Sequence, residues 1–182
     1  MKLYLIRHGR TEANERHLYC GSTDLPLSAT GRETLTRSAE PLTDVRFVTS
    51  GMLRTNETLR LLFGDVRFDT DPRLREMDFG AFEMHSYEEL KEEPSYQEWI
   101  VDDNEANVAP NGESGAMMQR RVLEALEEIL RQNRDTVIVT HGGPIAAIMA
   151  YLFPQEGKNR YEWQPKPGSG YVVSEDGYDK LS

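Results

Sequence analysis

The sequence predicts an α/β fold, a three-layer α/β/α sandwich on a mostly parallel sheet with a small helical and loop insertion. Two observations lead there. Short apolar runs alternate with amphipathic stretches along the chain, the order that produces strand–helix–strand units. One run, Thr136-Val137-Ile138-Val139-Thr140, is almost unbroken in apolar β-branched residues, as a strand covered on both faces requires.

Residues 2–6 form the first strand, which stops abruptly at Arg7-His8-Gly9. Residues 11–27 are polar and punctuated by Gly21, Asp24 and Pro26, so they read as a long ordered loop, a kind of segment that often carries function. Ser28 is an N-cap for a helix to about Ala39, stopped by Pro41. Residues 45–49 alternate and are β-branched, giving a second strand, and a helix follows over about 51–63 with Gly64 at its end. Residues 66–68 make a third short strand.

From about 75 to 112 the chain is acidic, carries the capping-box pattern Ser86-Tyr87-Glu88-Glu89, and is broken by Pro94, Pro110 and Gly112. Short helices joined by loops are expected there, as an insertion beside the active site. Residues 113–133 form a long amphipathic helix with Met117, Val122, Leu126, Ile129 and Leu130 spaced near 3.6. After the 136–140 strand, His141-Gly142-Gly143-Pro144 opens another helix, with Pro144 suited to its first turn. The tail, with Pro165, Pro167, Gly168 and Gly170 before Tyr171-Val172-Val173, reads as loop plus a final edge strand.

The length of 182 residues fits one domain, 1–182, large enough to bury roughly 70% of its unfolded surface. The longest apolar run, residues 145–153, is far below the roughly 20 residues a spanning helix needs, and the first residues are interrupted too soon for a signal peptide. A cytoplasmic location is expected. Cys20 is the lone cysteine, and the four histidines show no zinc spacing, so neither a disulfide nor a metal is expected. With 21 basic against 31 acidic residues the net charge is −10, which repels nucleic acid and acidic membranes. An anionic ligand must therefore be captured by a local cluster of cations.

Such a cluster is implied by position. Arg7 and His8 follow the first strand, Arg54 lies in the first turn after the second, and His141 follows the 136–140 strand. In open α/β sheets ligands bind beyond the carboxyl ends of the strands, where helix N-termini aim free N–H groups. A helical side chain points back toward its N-terminus, so Arg54 reaches the same edge. Two guanidiniums can grip a phosphate in bidentate fashion, and two imidazoles add a nucleophile and a further donor.

These residues resemble the histidine phosphatase superfamily, also called phosphoglycerate mutase-like, and within it the phosphatase branch that includes α-ribazole phosphatase-type members. The resemblance is carried by Arg7-His8-Gly9 with Thr11 and Asn14, then by Gly21, Asp24, Pro26-Leu27-Ser28 and Gly31. It continues through Ser50 with Arg54 and Thr58, Leu74-Arg75-Glu76 with Phe79-Gly80, Asn111-Gly112-Glu113-Ser114, and Val139-Thr140-His141-Gly142-Gly143. It departs at Arg10, where relatives usually carry Glu or Gln, and at Ala81-Phe82-Glu83-Met84, in place of a common Trp-Glu-Gly ending.

The resemblance implies a metal-independent, cofactor-free phosphomonoesterase in which His8 becomes a phosphohistidine that water then hydrolyses. Arg7, Arg54 and His141 would neutralise the phosphoryl oxygens, with Gly9 taking the second His8 nitrogen and the anion helping to keep His141 charged. Glu76 matches the acid that protonates the departing oxygen. Thr11, Asn14, Gly21 and Gly142 complete the expected phosphate-binding set; loop-turn roles for Thr11 and Asn14, and strand termination for Gly142, stand beside that reading. The implied partner is a small phosphorylated metabolite, with α-ribazole, sugar and glycerate phosphates as candidates. The chain would be a monomer or homodimer. Two alternatives stay open: mutase-type transfer, although mutases in this family are usually longer, and an inactive phospho-ligand binding module. Arg10 either extends the basic mouth or pairs with a surface acid. Glu113 and Ser114 match the family at a helix start, where the macrodipole explains a carboxylate equally well. His17 and His85 are expected on solvated loops, and Cys20 as an unactivated thiol.

Overall fold

A computed structural model of the chain describes residues 1–35 and 42–181. Six strands form one sheet in the order β3-β2-β4-β1-β5-β6. Four of them, β1 (Leu3–Arg7), β2 (Arg46–Thr49), β3 (Asp69–Thr70) and β4 (Thr136–Thr140), are mutually parallel. The last two, β5 (Gly170–Ser174) and β6 (Gly177–Leu181), run antiparallel beside β1.

Alternation along the central strands gives the sheet two apolar faces. Leu3, Leu5, Val48 and Ile138 face one way, onto α6 (Gly115–Arg131) and α7 (Gly142–Leu152), in a core that includes Val122, Leu126, Ile145 and Ile148. Ile6, Phe47, Val137 and Val139 face the other way, onto α3 (Leu53–Phe63) through Leu59. Three layers result. Helix α7 is apolar all round because α6, the sheet and α8 (Arg160–Trp163) enclose it.

The register positions the site. Arg7 pairs with Thr140 and Thr49 with Val139, so His8, His141 and Ser50 leave the same edge side by side. Among these three strand ends, each chain turns at once toward a helix.

Several expected boundaries change. The loop over 11–27 contains α1 (Glu12–Glu15), a single turn closed by a reciprocal Thr11–Asn14 capping box that the polar composition concealed. Ser28 caps α2 as expected, but α2 is only Ala29–Glu33; Ala39 and Pro41 lie outside the described residues. The third strand is β3 at Asp69–Thr70 rather than 66–68, because Thr70 aligns with Thr49 while Val66 and Phe68 pack on the α3 side. The expected final edge strand is β5, second from the edge, with β6 outside it. Asp176-Gly177, a hairpin dipeptide, was the signal for that turn. The 75–112 region forms 3-10 turns plus α4 (Tyr87–Leu90) and α5 (Pro94–Trp99), with the Ser86–Glu89 capping box in place. It is tied to the α1 loop by a Leu18–Ser86 bridge.

Leu126 has no exposed surface and lies between α6 and the sheet. Leu126→Ala should lower the unfolding free energy by about 2–5 kcal/mol in denaturant titration; a loss under about 1 kcal/mol would mean that the α6 layer is not closely packed.

Candidate active site

The His8 ring is fixed from both ends of its backbone. Its N–H donates to the Thr140 carbonyl at 2.9 Å, and Gly168 N–H reaches the carbonyls of Arg7 and His8 at 3.1 Å. Gly9 N–H donates to Thr58 Oγ1 at 2.9 Å, which locks the turn onto α3. His8 Nδ1 lies 2.7 Å from the Gly9 carbonyl, so Nδ1 carries the proton and Nε2 the lone pair. That is the tautomer a nucleophile needs.

The ring of His141 stands 5.1 Å from that of His8, at 63° between planes. His141 is fully buried. Arg54 Nε donates to its Nδ1 at 3.3 Å, so Nε2–H donates to Ser50 Oγ at 2.9 Å. Ser50 Oγ–H donates to Thr55 Oγ1 at 3.0 Å, and Thr55 donates to the Met52 carbonyl at 2.8 Å. Each hydroxyl thus has one direction. The chain ends at the N-cap of α3, where Gly51, in the left-handed region, delays the helix to Leu53.

Arg54, buried at the first turn of α3, gives its other arms to the carbonyls of Thr23 at 2.9 Å and Gly21 at 2.8 Å. Arg7 donates to the Pro165 carbonyl at 2.8 Å, while its Nε is buried without a partner. The Glu76 carboxylate accepts from Met77 N–H at 2.9 Å and from Gly143 N–H at 3.0 Å. Only glycine permits that approach, since a Cβ on residue 143 would fall 2.2 Å from Glu76 Oε1.

His8, Arg7, Arg54 and Glu76 share a cavity of about 230 Å³, with His141 and Ser50 buried behind it. Arg7, His8, Thr11, Asn14, Arg54 and Glu76 line its charged part. Tyr19, Phe79 and Trp99, with ring centroids 5.1–6.0 Å apart, form an apolar wall. Burial, followed by the charges of Arg54 and Arg7, holds His8 well below the ordinary histidine range, against the opposing pull of Gly9. Burial, then the charge of Arg54, with smaller contributions from the neighbouring His8 and from Arg7 and Arg121, does the same to His141. Both are neutral at pH 7. A charged His141 therefore requires an anion to offset the guanidiniums.

Of the residues expected to touch phosphate, His141, Gly21 and Gly142 stand outside the cavity lining; His141 is fully buried behind the lining residues His8 and Arg54. The Gly21 N–H is taken by Glu83 and its carbonyl by Arg54, so it supports the cation from behind. Gly142 backs the Arg7 guanidinium, and a Cβ there would lie 3.2 Å from Arg7 Cζ. Thr11 and Asn14 line the cavity and also cap α1, so both expected roles have a geometric basis. Arg10, His17 and His85 are exposed away from the cavity. Cys20 lines the cavity with its thiol pushed up by burial, against the pull of Arg54. Ser114 is the N-cap of α6, and Glu113 is ion-paired with Arg121 at 2.7 Å rather than only facing a dipole.

Sequence reading missed the support beneath this set. Ser50 and Thr58 were in the motif without a role. Glu83, whose carboxylate collects the N–H groups of Gly21, Ser22, Thr23 and Phe79, was visible only as part of a departing motif.

A family model described as histidine phosphatase superfamily (branch 1) matches residues 3–180. The chain belongs to the histidine phosphatase superfamily. An adenosylcobalamin/α-ribazole phosphatase of Salmonella typhimurium is 31% identical, over 92% of this chain and 87% of its own length. A probable phosphoglycerate mutase of Yersinia enterocolitica is 27% identical, over 97% and 93%. A solved structure of a putative α-ribazole-5′-P phosphatase from Escherichia coli superposes with a TM-score of 0.84 at 27% identity, covering 99% of this chain and 94% of that one. A phosphoglycerate mutase structure from Thermus thermophilus gives 0.79 at 31% identity, covering 100% and 99%. Length therefore does not separate this chain from proteins named as mutases.

The lowered histidines carry a stability consequence. Below about pH 6.5 the unfolded chain protonates both imidazoles while the folded chain does not, so unfolding is favoured as pH falls. Urea unfolding at pH 7.5, 6.5 and 5.5 should show stability falling below pH 6.5 by up to about 1.4 kcal/mol per pH unit for each histidine. A flat profile would show that the imidazoles are not held neutral.

Proposed function

We propose that this histidine phosphatase is a metal-independent phosphomonoesterase that works through a phosphohistidine on His8. The observation that carries the reading is the pairing of a neutral His8, its Nε2 lone pair released by the Gly9 contact, with two guanidiniums in one cavity, that of Arg54 buried and that of Arg7 half-buried. The Arg7 Nε donor, buried and unpaired, suits an incoming oxygen.

Nε2 attacks phosphorus, the phosphorus–nitrogen bond forms, and the ester bond breaks. Arg7 and Arg54 hold the equatorial oxygens, and the dianion offsets their effect on His141. Nδ1 of His141 takes a proton from solvent as Arg54 Nε–H turns from it to a phosphoryl oxygen, and Nδ1–H then donates to the same group. Glu76, protonated in the first step, gives its proton to the leaving alkoxide; as carboxylate it then removes a proton from the water that hydrolyses phosphohistidine. Thr11 and Asn14 extend the binding set. The guanidiniums supply the positive charge that a metal supplies in other phosphatases.

The apolar wall of Tyr19, Phe79 and Trp99 favours an alcohol bearing a flat apolar group, the class to which α-ribazole phosphate belongs. A small phosphorylated metabolite of that kind is the proposed substrate. The named mutase relatives support phosphoryl return to glycerate as the competing reading. Feeding 3-phosphoglycerate separates the two: free phosphate marks a hydrolase, and 2-phosphoglycerate without phosphate release marks a mutase.

On p-nitrophenyl phosphate, His8→Ala should reduce kcat by at least about 10³-fold; a rate equal to wild type would remove His8 from the mechanism. Glu76→Gln should slow alkyl phosphates by about 10²–10⁴ and p-nitrophenyl phosphate far less, since that leaving group needs little protonation. Equal, negligible effects would remove Glu76 as the acid. EDTA should leave turnover unchanged, whereas loss of activity that magnesium restores would refute the metal-free account.

A further inference from the structure

Glu76 lies in a segment with neither a helix nor a strand to hold it. The 3-10 turn Pro72–Leu74 ends just before it, and the next turn begins at Gly80. Its backbone groups must be satisfied by side chains from elsewhere. The Leu74 carbonyl takes the hydroxyl of Thr140 at 2.5 Å. The carbonyls of Arg73, Arg75 and Glu76 converge on one group, the guanidinium of Arg121 on α6, at 2.8, 2.6 and 2.8 Å.

Arg121 has five N–H donors, and all five are used. The remaining two grip Glu113, Nε to Oε1 at 2.8 Å and Nη2 to Oε2 at 2.7 Å. Glu113 in turn accepts the Asp78 N–H at 3.0 Å. The pair thus holds the chain on both sides of the acid. Three carbonyl dipoles aimed at one point repel one another unless a cation stands there. A neutral or shorter side chain at position 121 would let them spread.

Resting on the reading of Glu76 as general acid, we propose that Arg121, braced by Glu113, is a positioning residue for proton delivery to the leaving group. It touches neither phosphate nor the cavity, since Arg121 is not among the lining residues. Displacing a proton donor by about 1 Å can cost about 10² in rate. That loss should appear only where a proton is needed. Burial raises Glu113, yet the hydrogen bonds from Arg121 and Asp78 and the charge of Arg121 bring it below its ordinary value, so the brace is ionised at neutral pH.

The test compares β-glycerophosphate with p-nitrophenyl phosphate, using Arg121→Met, Glu113→Gln and Glu76→Gln. Arg121→Met should lower kcat on β-glycerophosphate by about 10–10²-fold and on p-nitrophenyl phosphate by under about 3-fold, with inhibition by inorganic phosphate retained. Glu113→Gln, which keeps the side-chain shape, should shift the same ratio in the same direction by at least about 3-fold; it decides the matter if Arg121→Met does not fold. A parallel fall on both esters, or no change on either, would overturn the proposal by assigning the pair to folding alone. If Glu76→Gln leaves the ratio of the two esters unchanged, the acid reading itself fails and the proposal falls with it. If Glu76→Gln changes the ratio and the other two variants do not, only the proposal fails.

Discussion

Arg54 carries its charge almost without exposed surface, and three of its five N–H donors end on neutral acceptors: two carbonyls and one imidazole nitrogen. A buried cation left without a carboxylate at its tips is expensive, and these bonds offset part of that cost. The loop at Gly21–Thr23 supplies those carbonyls in its observed shape, and the Glu83 carboxylate holds the loop by accepting the N–H groups of Gly21, Ser22 and Thr23. Burial first, and this uncompensated charge second, keep both imidazoles neutral. One constraint thus fixes a loop and a turn of the insertion, and adds to the burial that sets the protonation state of the site.

The α6 side works by the opposite device. Arg121 is paired directly with Glu113, so its positive charge is largely offset there, leaving only its weak push on His141, and its donors organise backbone instead. Two arginines, one without a carboxylate and one paired with one, divide the site into a region that attracts an anion and a region that holds the proton donor still. The −10 net charge of the chain makes the first of these a local exception to the long-range field.

Much of this was legible in the sequence because it depends on strand ends. The apolar runs at 3–6 and 136–140 declared themselves by composition, and parallel register then carried Arg7, His8 and His141 to one edge. Arg54 was legible because a helix turn aims side chains backwards. The residues that escaped reading act through contacts far apart in the chain. Glu83 meets Gly21 across 62 positions and Arg121 meets Arg75 across 46, and no periodicity marks either. α1 was hidden because a one-turn helix has no hydrophobic period, and β6 because Gly177, Asp179 and Lys180 lack the apolar alternation of a strand.

The two margins of the sheet have a consequence of their own. On one side β3 offers only Asp69 and Thr70, both exposed, with Asp69 paired to Arg46; on the other, β6 presents exposed Asp179 and Lys180. A two-residue border and a charged one are poor templates for recruiting a foreign strand. The sheet therefore resists lateral polymerisation, and crowded molecules are protected from amyloid-like growth along the direction in which their ladders would otherwise extend.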